Sequence, residues 1–521
     1  MKSPRLYEHV RREGILILPS RSCLKVHMRK YKSGFGFNPA IITGISSKTK
    51  PMDEFKCHGG LIVNEMKLSE CVDVGAGGKL EQLVDLGKLT LESDKHIPSD
   101  HGLMIMFQPF AGSWHQILGV FASRGNVNAQ LLSKILIEAI LLAEKAGLKV
   151  DFITADGASW NRSMWRLFGI SGSSTSIKPS APHPVDPGRR FFFISDFPHL
   201  VKCVRNGLLK ARYKTPEGSV YIEHIKAAHN DDKCPLTLKV MPKITLAHMS
   251  PNNFEKMEVN LAFHLFSLEV IRGLYFYRKE VEKEWGDPAP TQAFVLLMWK
   301  LIKAMTARIP SEALEPNSEH EKNIKDALGY LNRWEAHAET SPAGFLTAST
   351  VEGLGLTLQA TLDLMEYLHK KLGLKYLLTS RLSQDGLEKL FGIIRQFSGC
   401  NDHPTATQFL LTVNCLNEAK EELAMFTKFC DNGGLLYPSE KLFSFVDALE
   451  ITFTMSFSYN ELHSDSLEEL VSCMQKNDCT LGCAQHGPSL TKQDHPEQKP
   501  QKPRLVRLKT TLPAKRASSR L

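Results

Sequence analysis

Between Gly59 and Leu209 the chain alternates strand-like and helix-like segments, and from about 215 to 345 it offers only helices. That interruption constrains the fold more than any other feature. GGLIVNEMKL (Gly59–Leu68) is a short apolar run after a glycine pair, the pattern of a buried strand. HGLMIMFQPFAGSWHQILGVFAS (His101–Ser123) predicts two strands joined through Ala111 and Gly112. Asn128–Gly147 predicts an amphipathic helix opened by Asn128 and closed by Gly147. Lys149–Arg162 predicts a strand that ends in an acid and a tight turn, and Arg189–Leu209 a strand followed by a Pro-punctuated helix. Such an order implies a mixed α/β sheet flanked by helices. Acids at the ends of its strands then stand where these sheets place ligands.

Helices are expected over Asn252–Tyr277, Pro290–Arg308, Glu319–Thr340 and Leu354–Lys371. An all-α domain inserted into an α/β fold is the economical description. After it comes SQDGLEKLFGIIRQFSGCNDHPT (Ser383–Thr405), a helix whose acids Asp385 and Glu388 lie one turn apart on one face. Leu387, Leu390, Phe391 and Ile394 form the apolar stripe that would anchor it. The bland reading is an acidic solvated face.

The ends read differently. Leu6–Arg12 and Ser20–Tyr31 suit two short basic helices, of a helix-turn-helix-like remnant or of plain helical packing, and Gly34–Pro39 a break. Hydrophobic content of 42% with 23% charge is that of a globular protein. No apolar run approaches the ~18 residues needed to span a bilayer. Eleven scattered cysteines suit a reduced compartment. Of the net charge of +8, residues Lys492–Leu521 carry five Lys and four Arg against Asp494 and Glu497, a net of +7. A basic, disordered tail on a neutral body is the expectation, serving as a polyanion tether or as a solvated end. Cys473, Cys479, Cys483 and His486 resemble a zinc set only loosely, because their spacings are not those of common structural sites. GAGGKL (Gly75–Leu80) lacks the P-loop spacing, and no hydrolase or kinase motif is present.

Several segments line up in order with one family. SPRLYEHVRREGILILPS, YKSGFGFNP, GGLIVNEMKL, SWHQILGVF, VDFITADGASWNR, SDFPHLVKCVRN, PKITLAHMSPNNFEKMEVNLAFHLFSLEV and SQDGLEKLFGIIRQFSGCNDHPTATQF resemble the P element-type transposases and their THAP-domain relatives. The resemblance implies an RNase H-like core that cuts and joins DNA with Mg²⁺ or Mn²⁺, interrupted by a GTP-binding helical domain. It implies domains over 51–212 and 346–430 for the core, 213–345 for the insertion, 1–50 for the helical remnant and 431–521 for the irregular region and tail. In that chemistry two hard cations roughly 4 Å apart clamp the attacking and leaving oxygens, and carboxylates neutralise them.

Carried over by resemblance, two of the three metal-holding acids are Asp156 and Glu388, with Asp385 as a further acid near metal and nucleotide. The first position departs: family members read D-E-M, and this chain reads Asn64-Glu65-Met66. A carboxamide is a poor bridging ligand, and Glu65 does not simply replace it, because adjacent strand side chains point to opposite faces. Asp73 would help only if its loop folded back. Catalysis should therefore be severely impaired. The guanine-recognising acid is also missing, with Ile302, Lys303 and Thr306 in that region; a Lys cannot accept a hydrogen bond. Lys256 is a candidate phosphate contact, against the more ordinary alternative of a surface Lys. His199, Lys202 and Arg205 are candidate nucleic-acid contacts, against the alternative of a Pro-led helix start with a buried His. Asp196 is a candidate helix cap, and Trp114 and Trp160 are expected in the core. The zinc module that commonly opens the family is not seen before Cys23, which suggests a truncated copy or a lost function. The expected partner is DNA, with self-association and a nuclear location; the alternative is a domesticated, non-catalytic binding protein, or a cytoplasmic one.

Overall fold

The computed structural model describes residues 33–417, apart from 72, 75–79, 113, 174–175, 233–237, 341–343 and 398–400, together with 4–13, 20 and 22. The expected helix at Leu6–Arg12 is α1 (Pro4–Arg12). Most of Ser20–Tyr31, the Cys473–His486 set and the basic tail lie outside the described residues.

Seven strands make the central sheet: β1 (Gly36–Phe37), β2 (His58–Lys67), β3 (His101–Pro109), β4 (Gln116–Ser123), β5 (Lys149–Ala155), β6 (Ser180–Pro182) and β7 (Arg190–Ser195). Their spatial order is β1-β4-β3-β2-β5-β7-β6. The β2–β5 and β5–β7 pairs are parallel, and β1–β4, β3–β4, β2–β3 and β6–β7 are antiparallel. The glycine pair that opens β2 has a steric reason. A Cβ on Gly60 would lie 2.3 Å from the Phe152 ring, and one on Gly59 2.3 Å from the Gln108 carbonyl. Only hydrogen side chains let β2 sit between β3 and β5 at its start.

Side-chain alternation splits the sheet into two buried faces. Leu61, Val63, Leu103, Ile105 and Phe107 pack under α3 (Ala129–Lys145) and α4 (Ser159–Leu167). Ile62, Met66, Met104 and Met106 face the other way, toward α11 (Asp385–Phe397). The α3 helix begins where expected: the Asn128 side chain accepts the Leu131 N–H at 2.9 Å. Gly147 follows its end at φ +90°, a conformation that favours glycine.

Between β7 and α11 the chain runs through α5 (Phe197–Lys210), a hairpin over Tyr213–Thr215 and Gly218–Val220, and then α6 (Val259–Leu265), α7 (Leu268–Phe276), α8 (Ala289–Met305), α9 (Glu319–Thr340) and α10 (Ala348–Leu372). The single helix expected over Asn252–Tyr277 is divided into a 3-10 turn (Glu255–Met257), α6 and α7. At the break, Phe266 leaves helical geometry, with ψ at 53°. Its ring is buried and meets Phe294 edge-on at 6.1 Å. Burial of one aromatic ring outweighs the hydrogen bonds of a continuous helix. The break expected at Gly34–Pro39 contains β1, and Asn38 caps a further helix, α2 (Pro39–Thr49). Two residues of strand are too short to show a periodicity. Trp114 and Trp160, expected in the core, are half-buried instead: Trp114 stacks on Phe107 at 5.7 Å with Lys48 over its ring, and Trp160 edges a cleft.

Candidate active site

The end of β2, the end of β5 and the start of α11 meet where the resemblance puts the metal-holding acids. Three hydrogen bonds fix α11 there. Gln384 Nε2 donates to the Val63 carbonyl at 2.5 Å, the Gln384 N–H to Asp196 Oδ1 at 2.8 Å, and Thr154 Oγ1 to the Leu382 carbonyl at 2.7 Å. The stripe of Leu387, Leu390, Phe391 and Ile394 is buried as expected, so the acids on the same helix turn away from the core.

Asp156 directly follows β5 and is half-buried. Its Oδ1 accepts the Ala158 N–H at 3.0 Å and Asn161 Nδ2 at 2.6 Å. Asn161 is itself buried, so it holds the carboxylate in one orientation. Asn64 stands opposite Met104 in the β2–β3 ladder, and its Oδ1 accepts the Glu65 N–H at 2.8 Å. Glu65, opposite Leu103, takes the Val127 N–H on Oε1 at 3.3 Å. Burial, reinforced by Asp156, pushes the Glu65 carboxyl up to about 7 despite that N–H. Asn64, Glu65 and Asp156 line one cleft of about 140 Å³, with Val63, Lys67, His101, Leu103, Asn126, Leu132, Trp160 and Asn161.

Glu388 stands outside that cleft lining. Its side chain is exposed, which leaves it able to reach a ligand, while the surrounding protein and Asp385 raise its pKa against the pull of Lys202 and Arg395. Asp385 is held by Arg308 at 3.3 Å. Asp196 is buried and caps α5 through the His199 N–H at 2.9 Å. Burial, with Glu388 and Asp385 nearby, lifts it to about 7. His199 and Lys202 are half-buried beside this group, and burial and Lys202 lower the His199 pKa.

Arg205 is different. It is fully buried, and its Nη2 donates to the carbonyls of Lys256 at 2.8 Å and Glu255 at 3.3 Å. The expectation of an Arg205 contact to nucleic acid is therefore corrected, because the guanidinium is sealed under the insertion. Lys256 is exposed. Asp73 pairs with Glu81 in a two-stranded hairpin. Ile302 is buried, Thr306 Oγ1 donates to its carbonyl at 2.7 Å, and Lys303 reaches Glu312 at 3.6 Å. These three positions offer a guanine no carboxylate. Among the described residues no three His, Cys, Asp or Glu side chains are close enough to hold a metal. Sequence reasoning set Glu65 aside and passed over Asn161 and Gln384. An acid inside an apolar strand was the one visible signal for Glu65.

Comparison with known proteins returns one family in three successive pieces. The TNP-like RNase H N-terminal domain matches residues 33–169, the TNP-like GTP-binding insertion domain 198–314, and the TNP-like RNase H C-terminal domain 380–410. Together they cover more than half of the chain, in order. The chain belongs to the TNP-like family. A curated relative, the Transposable element P transposase of Drosophila melanogaster, is 26% identical over 412 residues. That match covers 78% of this TNP-like chain and 51% of the relative, so the chain spans about half of the relative's length. A solved structure, the Drosophila P element transposase strand transfer complex, superposes with a TM-score of 0.64 at 24% identity. It covers 79% of this chain and 87% of that one, and shows the shared RNase H-like fold with its helical insertion.

Proposed function

We propose that this chain is a P element transposase-type protein that engages DNA at its RNase H-like core and cuts or joins it poorly, because Asn64 occupies the first catalytic position. One observation supports this above the rest: Asp156 and Glu388 flank the meeting point of β2, β5 and α11, while the β2 residue there is a carboxamide. Divalent cations, when bound, supply Lewis-acid stabilisation to the reacting phosphate. Asp156 offers one oriented carboxylate through Asn161, Glu388 an accessible one, and Asn64 a neutral oxygen already committed to the Glu65 N–H. Lys202 and His199 lie beside the acids and would meet the phosphate backbone. Strand joining on chromosomal DNA places the work in the nucleus. The lost guanine acid at Lys303 argues that GTP contributes little.

The test is cleavage and strand transfer of labelled DNA with Mg²⁺ or Mn²⁺. Asn64→Asp is expected to raise the rate at least about 100-fold, the scale on which loss of a principal charge-stabilising group acts. Robust activity in the native chain that disappears in Glu388→Ala would sink the impairment. A non-catalytic DNA-binding role is the second reading, favoured by the same Asn64; under it Asn64→Asp restores nothing and salt-sensitive DNA binding persists.

A further inference from the structure

We propose that this chain pairs with a second copy of itself through the outer face of α3, the two α3 helices running antiparallel across a two-fold axis between Leu141 and Leu142. The first support is an apolar surface. One face of α3, with Leu132, Ile135, Leu136, Ala139, Ile140 and Ala143, is buried on the sheet. On its other side Ile137 and Leu141 stand 36% and 47% exposed, one turn apart. Beside them lies a groove of about 450 Å³ between α2 and α3, lined by Phe37, Ile42, Leu86, Phe121 and Leu142. An apolar ridge next to an apolar groove, rimmed by charged residues, has the form of a contact surface.

The second support is charge. Glu138, Leu141, Leu142 and Lys145 fall at i, i+3, i+4 and i+7, which puts them on one stripe of the helix. In a two-fold dimer one patch meets itself, so residues equally distant from the axis face each other. Glu138 of each copy then faces Lys145 of the other, and Leu141 of each meets Leu142 and the groove of the other. The stripe is thus self-complementary: both of its charged contacts join opposite signs, as flanking charges do between paired helices. Neither Glu138 nor Lys145 has an ion pair among the described residues, whereas Glu144 on the same helix is taken by His183 and Arg189. A small ligand of one charge would answer only one of the two signs on this rim. The apolar contact supplies the affinity, and the flanking pairs fix partner and orientation.

This goes beyond the proposed function. The α3 helix packs on the face of the sheet away from α11, and none of the stripe residues lines the cleft at Asn64.

Sedimentation velocity of the full chain over a concentration series tests the pairing. The expected result is a dimer whose dissociation constant rises at least tenfold in Leu141→Glu, in Glu138→Lys and in Lys145→Glu. The two charge variants mixed in equal amounts are expected to regain the dimer, because every cross-contact between them again joins opposite charges. Circular dichroism checks that each variant is folded; should Leu141→Glu unfold, the charge variants and their mixture decide. A native chain that is monomeric throughout, a dimer unmoved by the variants, or a mixture as weak as its components would each overturn the proposal. Such a failure leaves the strand-transfer reading untouched, because the Asn64→Asp assay measures that one directly.

Discussion

At the scale of single residues, charge decides whether burial is tolerated. Glu65 and Glu144 are both largely buried carboxyls with opposite outcomes. Glu65 receives one N–H and is pushed up to about 7. For Glu144, burial also pushes upward, but His183, the Val150 N–H at 2.9 Å and Arg189 at 2.8 Å outweigh it and bring the pKa down to about 2. A folded pKa below the unfolded one means stability that is present above the unfolded value of about 4.5 and is lost as pH falls toward 2. With a side chain only 5% exposed, the gap corresponds to about 3 kcal/mol at neutral pH. Glu144→Gln is therefore expected to lower the urea midpoint at pH 7, with the difference from the native chain shrinking between pH 4.5 and 2. A constant difference across that range would show that packing, not charge, stabilises this corner.

At the scale of elements, α11 shows how a periodic pattern and a few directed bonds divide the labour. Its apolar stripe sets which face is buried, and that much is readable from spacing. Where along the sheet the helix docks is set by Gln384, whose amide bridges the Val63 carbonyl and whose N–H meets Asp196. Gln384→Ala removes the first bond and leaves a buried carbonyl unmet, at about 1–2 kcal/mol. Hydrogen exchange should then speed in the first turn, Asp385–Glu388, while β2 and β5 stay protected. Equal speeding across the sheet would instead indicate global loss of stability. The Asn128 cap and the α9 bounds were legible because caps and periodicity are local. The split of α6 from α7 was not, because Phe294, which draws Phe266 inward, lies far along the chain.

At the scale of the whole described body, the insertion is welded to the core. One apolar cluster runs from Ile62 and Met106 through Phe192, Leu200 and Val204 to Phe294, Trp334 and Leu364. The α5 helix carries that continuity, and Arg205 fastens its far side to the carbonyls around Lys256. Arg205→Met should cost about 3 kcal/mol by leaving those carbonyls unpaired. It should also leave the salt dependence of DNA binding unaltered, since a true phosphate contact would change the log–log slope by about 1. A reduced slope at unchanged stability would restore Arg205 to the DNA surface.

The sequence by itself determined the strand–helix alternation, the helical interruption, the acid-bearing helix with its stripe, and the missing acid at Asn64. The first three rest on local periodicity, capping and residue identity, and the last on the resemblance to the P element-type transposases. Only the tertiary structure decided that Arg205 is sealed inside, that Asn161 steers Asp156, and that Glu65 shares a cleft with Asp156 while Glu388 stands outside it. Those outcomes depend on which distant segments pack together, and no spacing along the chain encodes the depth of a side chain or the partners its charge will meet.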